Sequence, residues 1–243
     1  MKLKIFTLLS LFSCQSVLAS TDLDWGYTDQ QAPEHWTNIN EKYHACSGEN
    51  QSPINIEQTI NAQLTPLKFN YKSTAKNISN SHHTVLVNFN EGSSLTLDNK
   101  QFELKQFHLH TPSENTIQGK SYPVEMHLVH ASSDGELAVV AIMFEQSKEN
   151  KTLAQLWKEL PKQENKPIAL KQQYKANSFL PKNLNYYRYN GSLTTPPCSE
   201  GVRWIVLKEI QPISAQQLQQ LSEYITHPNN RPVQSKNARL VME

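Results

Sequence analysis

The sequence predicts a single β-dominated domain with a few peripheral helices. Short runs of apolar and β-branched residues recur from about Thr84 onward, bracketed by Asn, Asp and Gly turns. Helical periodicity is confined to two short stretches. Thirteen prolines among 243 residues imply long irregular connections. No internal repeat, low-complexity tract or linker divides the chain, and 37% hydrophobic with 19% charged residues is an ordinary globular balance.

Residues 84–89 and 94–97 read as short strands. Residues 102–110 and 124–131 alternate with a period of two, the pattern of strands whose two faces meet different surroundings. Residues 137–144 are continuously apolar, which suits a strand buried on both faces, and residues 202–208 form another such run. Thr152 is expected to cap a short helix carrying Leu153, Leu156, Trp157 and Leu160 and ended by Pro161. Ser214 is expected to cap a second, with Leu218, Leu221 and Ile225 on one stripe.

The first residues read as an export signal. Lys2 and Lys4 make a positive start, 5–12 are mostly apolar, and Val17-Leu-Ala19 offers a cleavage site, so 1–19 is expected to be a signal peptide and 20–243 the mature domain. A lipoprotein signal ending at Cys14 is the rival reading, disfavoured by the bulk of Phe12. The apolar run is too short to span a bilayer, which takes roughly 20 residues. The formal net charge is +1, so no global field points to nucleic acid or anionic lipid. Beyond Cys14 two cysteines remain, Cys46 and Cys198, an even number for an oxidising compartment. They are either bridged or two unrelated buried thiols. A bridge over such a span would contribute up to ~5 kcal/mol on the chain-entropy view.

The segment Gln106-Phe-His-Leu-His110 carries the chemistry. In a strand, residues two apart share a face, so Gln106, His108 and His110 point one way and Phe107 and Leu109 the other. Two imidazoles roughly 7 Å apart along a strand can converge on one ion. By the same rule Glu125, His127 and Val129 share a face, and Val124, Met126, Leu128 and His130 the opposite one. If the two strands pair antiparallel through a turn around residues 115–122, His127 completes a three-histidine set with an open fourth position, the pattern of a catalytic zinc site. Gln106 and Glu125 would then accept from second ring N–H groups. A strand-borne His-x-His alone is as readily a solvated or core pair; spacing leaves both readings open.

Further motifs add specificity: Gln51-Ser-Pro-Ile-Asn-Ile56, Ser113-Glu114, Glu125-Met-His-Leu-Val-His130, Tyr189-Asn-Gly-Ser-Leu-Thr-Thr-Pro-Pro197 and Val202-Arg-Trp204. In this order, with Gln106-Phe-His-Leu-His110, they resemble the alpha-class carbonic anhydrases, exported bacterial members included. The likeness runs from Trp25-Gly-Tyr27 to Asn237-Ala-Arg239. It implies a large, mainly antiparallel twisted central sheet with short peripheral helices. It implies reversible hydration of carbon dioxide to bicarbonate and a proton by zinc-bound hydroxide, with ester hydrolysis as a side activity.

Carried over residue by residue, the resemblance makes His108, His110 and His127 the Zn2+ ligands. Gln106, Glu125 and the backbone carbonyl of Asn237 would hold their rings, the last holding His110. Thr194 would accept a hydrogen bond from the hydroxide and donate one to Glu114, so orienting the hydroxide, and Thr195 would contact substrate. Val129, Val139, Leu193, Val202 and Trp204 would line the carbon dioxide pocket. His83 would shuttle protons beside a water network including Tyr27. The likeness also implies a Cys46–Cys198 disulfide and inhibition by sulfonamides and anions; monomer and homodimer both stay open. Ser81 and Leu86 depart from the polar residues common in the family on the shuttle side, and His82 adjoins His83. His35, His44, His130 and His227 are given structural or surface roles. A zinc hydrolase of activated esters and a noncatalytic binding module are the rival functions; the intact ligand set, Glu114 and Thr194 argue against the second.

Overall fold

The computed structural model describes residues 24–81 and 83–243; the expected signal peptide, Cys14 and His82 lie outside them. Among the described residues an eleven-stranded sheet organises the chain. Its main path runs through Ile168–Ala169, Ala75–Asn80, Val85–Phe89, Lys100–His110, Val124–Ala131, Leu137–Gln146, Glu200–Leu207 and Tyr186–Ser192. Pairing is antiparallel except that Glu200–Leu207 and Gln211–Ile213 both lie parallel to Leu137–Gln146. The expected β-dominated architecture is therefore what the chain adopts, and the strands expected at 84–89, 94–97, 102–110, 124–131, 137–144 and 202–208 all form.

Each face of the sheet meets a separate apolar cluster. Val124, Met126 and Leu128 face the larger one, with Val140, Ile142 and Phe144 from the next strand. Val139, Ala141 and Met143 face the smaller, with Val202, Trp204 and Val206. The continuous run at 137–144 is thus apolar because both of its faces are covered.

The expectation of unbroken alternation over 102–110 is corrected. Leu104 opposes His130, but Gln106 opposes Val129, so the register shifts at exposed Lys105. A bulge of one residue reverses side-chain parity. Phe102 and Leu104 before it, and Phe107 and Leu109 after it, therefore all enter the larger cluster. Gln106, His108 and His110 are turned to the other face.

Two helices pack against the larger cluster. Asn150, not Thr152, caps Lys151–Trp157, its side chain accepting from Leu153 N. The correction is local: Asn and Thr are both favoured caps, Asn the stronger, and it is Asn150 whose backbone is in the extended conformation. The helix ends at Trp157, before Pro161. Ser214 caps Ala215–Ser222 as expected, in a reciprocal capping box with Gln217. Gln217 also bonds Asn150 N and O, joining the starts of both helices. Short helical turns over Asp29–Ser47, for which the sequence reading offered nothing, bury Trp36 against the disulfide.

Candidate metal centre

The bulged strand Lys100–His110 pairs with Val124–Ala131 so that His108 stands directly opposite His127. His110 and His127 are buried and His108 half-buried. One ring nitrogen of each is held by an acceptor. His108 Nδ1 lies 2.9 Å from Gln106 Oε1, and His127 Nε2 lies 2.9 Å from Glu125 Oε1. His110 Nδ1 lies 2.7 Å from the main-chain oxygen of Asn229. These contacts place the proton on the held nitrogen and leave the other with its lone pair. One such nitrogen from each ring lies within 4.8 Å of the other two, and buried His110 Nε2 has no hydrogen-bond partner. Burial holds all three imidazoles below their usual pKa, with repulsion from neighbouring rings adding to it at His108 and His127. Three neutral, converging nitrogen donors make a group that could hold a metal ion.

Asn237 does not hold His110. It lies on the surface, where its Nδ2 donates to Glu49 O, and Asn229 takes the role instead. A main-chain acceptor leaves no side-chain signature, so residue type could not choose between the two asparagines. Gln106 and Glu125 stand where expected. Glu125 Oε2 accepts from the main-chain N–H groups of Glu114 and Asn115, and Oε1 from Asn115 Nδ2. Burial raises the Glu125 pKa, and these donors oppose it.

Glu114 is buried beside the rings. Its Oε1 accepts from Arg231 N at 2.8 Å, and its Oε2 lies 3.4 Å from His110 Nε2 and 3.9 Å from His127 Nδ1. Burial pushes its pKa well up; the Arg231 N–H and the Thr194 hydroxyl pull the other way. Arg231, missed in the sequence, spans Gln51 Oε1, Ser52 O and Cys46 O with its buried guanidinium.

The motif 189–197 leads to Thr194. Ser52 N donates to Ser192 Oγ and Ser192 N to Ser52 Oγ, at 2.9 and 3.1 Å, which pins residues 51–56 to this strand. Gly191 sits at that crossing: a Cβ there would fall 2.0 Å from Ser52 Oγ. Only glycine allows the approach. Cys198 N closes a turn onto Thr195 O, and Cys198 is bridged to Cys46 across a separation of 152 residues. Thr194 is buried and Thr195 half-buried.

The expected pocket residues gather on the ligand face. Val139, Val202 and Trp204 are buried together, Val129 and Leu193 pack partly exposed against them, and the Trp204 ring meets His127 edge-on at 4.9 Å. His83 stacks on Trp25 at 4.1 Å and meets Tyr27 at 5.9 Å. The Tyr27 phenol is held well above its usual pKa by burial and then by the Glu114 charge, so Tyr27 stands within the field of the site. Leu86 is paired with His108 on the neighbouring strand, and Ser81 is tied into the turn with Thr84.

Residues 31–243 match the family described as eukaryotic-type carbonic anhydrase. The carbonic anhydrase of Pectobacterium atrosepticum is 44% identical over the whole of both chains, and that of Neisseria gonorrhoeae 42% over 98% of this chain and 96% of its own. The alpha-carbonic anhydrase of Thermovibrio ammonificans, solved with the inhibitor sulfanilamide, superposes with a TM-score of 0.89 at 43% identity, covering 90% of this chain and 99% of the other. The chain belongs to the eukaryotic-type, or alpha, carbonic anhydrase family, and family membership makes it an enzyme whose reaction is carbon dioxide hydration.

Proposed function

We propose that the chain interconverts carbon dioxide and bicarbonate at a zinc ion held by His108, His110 and His127. The observation carrying this is the convergence of three neutral imidazole nitrogens within 4.8 Å, each ring fixed through its other nitrogen. The donor set fits zinc: nitrogen only, three in number, with unpartnered His110 Nε2 aimed into the gap. When bound, zinc supplies the Lewis acidity that brings water deprotonation to about pH 7, a figure general to carbonic anhydrases and not read from this chain.

The protein's own groups then have separable tasks. Gln106, Asn229 O and Glu125 keep the proton on the outer nitrogen of each ring. Glu114 accepts from Thr194, and that bond turns the threonine oxygen into an acceptor toward the reacting centre. Thr195 contacts the bicarbonate oxygens. Val129, Val139, Leu193, Val202 and Trp204 exclude water and position a nonpolar substrate. His83 removes the product proton to buffer, with Tyr27 ordering water between it and the site. Activated esters would be slower substrates of the same centre, and sulfonamides would occupy it.

We place the mature enzyme outside the cytoplasm, after loss of residues 1–19. The Cys46–Cys198 bridge supports an oxidising compartment. No helix among the described residues is long and apolar enough to cross a membrane.

Stopped-flow hydration by the mature, oxidised protein across pH 6 to 9, with zinc quantified on the same sample, tests the reading. The expected result is a rate that requires zinc and rises with pH through neutrality. Inactivity at one zinc per chain would overturn it.

A further inference from the structure

Asn229 does more than orient a ligand through its main chain. It is wholly buried, and every polar atom it carries is engaged. Its main-chain oxygen accepts from His110 Nδ1, and its main-chain N–H donates to Thr111 O. Its Oδ1 accepts from Thr111 N at 2.7 Å. Its Nδ2 divides two donors between Leu109 O and His83 O, both at 2.9 Å. A carboxamide is the one short side chain offering an acceptor and two donors, so no other residue of this size closes the same set.

The next residue after His83 makes a second tie to the same place. Thr84 Oγ1 donates to Leu109 O at 2.5 Å and accepts from Leu109 N at 3.1 Å. Leu109 lies between ligands His108 and His110, so residues 83 and 84 are both fastened to the ligand strand at one point. We propose that the side chains of Asn229 and Thr84 are positioning residues for proton transfer, fixing the His83 backbone relative to the His110 ring. The proposal rests on the reading of His83 as the proton relay. A relay works only over a set distance, and a displacement of about 1 Å can cost a factor of about 100. The side chain of Asn229 is separable from its main-chain hold on His110, because an aspartate keeps the carbonyl while presenting oxygen to two carbonyl oxygens.

The test compares zinc-loaded, oxidised wild type, Asn229→Asp, Thr84→Val and His83→Ala by stopped-flow hydration, with and without added imidazole. Zinc content, melting temperature and the NMR shift of the His83 ring over Trp25 are measured on the same samples. His83→Ala is expected to lower kcat by about tenfold or more, with recovery in imidazole. Asn229→Asp is expected to lower kcat by about tenfold, and Thr84→Val by less, with imidazole rescue and a moved His83 resonance in both and with kcat/KM unchanged in Thr84→Val. The Thr84 hydroxyl bonds neither His110 nor Asn229, so Thr84→Val decides the matter if Asn229→Asp fails to load zinc. Wild-type kcat in both clasp variants, or a joint fall of kcat and kcat/KM without rescue, overturns the positioning role. Wild-type kcat in His83→Ala instead overturns the relay reading, and the proposal with it.

Discussion

His127 and His130 lie on one strand, three residues apart, and face opposite sides of the sheet. Both are essentially without solvent exposure, and in both burial is the main cause of a lowered pKa. Their difference is in the nitrogens. His130 has both engaged, Nε2 with the Tyr71 hydroxyl at 2.6 Å and Nδ1 with Ala138 O at 3.3 Å. His127 gives one nitrogen to Glu125 and directs the other toward His110 and Glu114. A buried imidazole is therefore not by itself a ligand. What singles out His127 is a ring whose one nitrogen is held by Glu125 while the other converges with nitrogens of His108 and His110, all within 4.8 Å.

Substituting each histidine should break the comparison most sharply. His127→Ala is expected to lose zinc and lower kcat/KM by about a thousandfold, since several kcal/mol of Lewis-acid stabilisation disappear. His130→Gln should retain one zinc per chain and near wild-type kcat/KM. Zinc content and hydration kinetics on both variants read this directly, and zinc loss in His130→Gln alone would reverse the assignment.

The next effect is on pH-dependent stability. Burial pushes the His130 pKa down to about 4, from an ordinary value near 6.5. The unfolded chain then binds a proton that the folded chain refuses between these values, so stability rises with pH across the window 4 to 6.5. Above 6.5 this group contributes no penalty; at pH 4 and below the penalty is complete, about 3 kcal/mol. Denaturant unfolding of the metal-free protein at several pH values should show a flatter slope in His130→Gln. An equal slope would mean that the imidazole is not refused its proton.

A smaller effect falls on the acceptor that holds the His127 ring. Glu125→Gln keeps the shape but weakens the acceptor for His127 Nε2, and zinc affinity should fall by about 10- to 100-fold. Competition with a chelator measures this, and unchanged affinity would remove Glu125 from the account.

Much of this was legible in the sequence because strand parity is a strong rule over short spans. His108 with His110, and His127 opposed to His130, followed from a period of two, and the apolar run at 137–144 announced a strand covered on both faces. The bulge at Lys105 was not legible. Applied across the whole of 102–110, strict alternation would have set His108 on the face of Phe102 and Leu104, and no glycine marks the extra residue. Asn229 and Arg231 were missed for a related reason. Both hold the site through main-chain atoms, His110 donating to the carbonyl of one and Glu114 accepting from the N–H of the other, and such roles depend on where the chain passes rather than on side-chain type. Trp25, stacked on His83, belongs with them, since the contact joins residues far apart in the chain.

The most direct test of the three-histidine centre is a zinc titration of the metal-free, oxidised protein, followed by the rate of carbon dioxide hydration. The rate should rise linearly and break at one equivalent in wild type and His130→Gln, and stay at background in His127→Ala. Activity without zinc, or a rise in His127→Ala matching wild type, would contradict it.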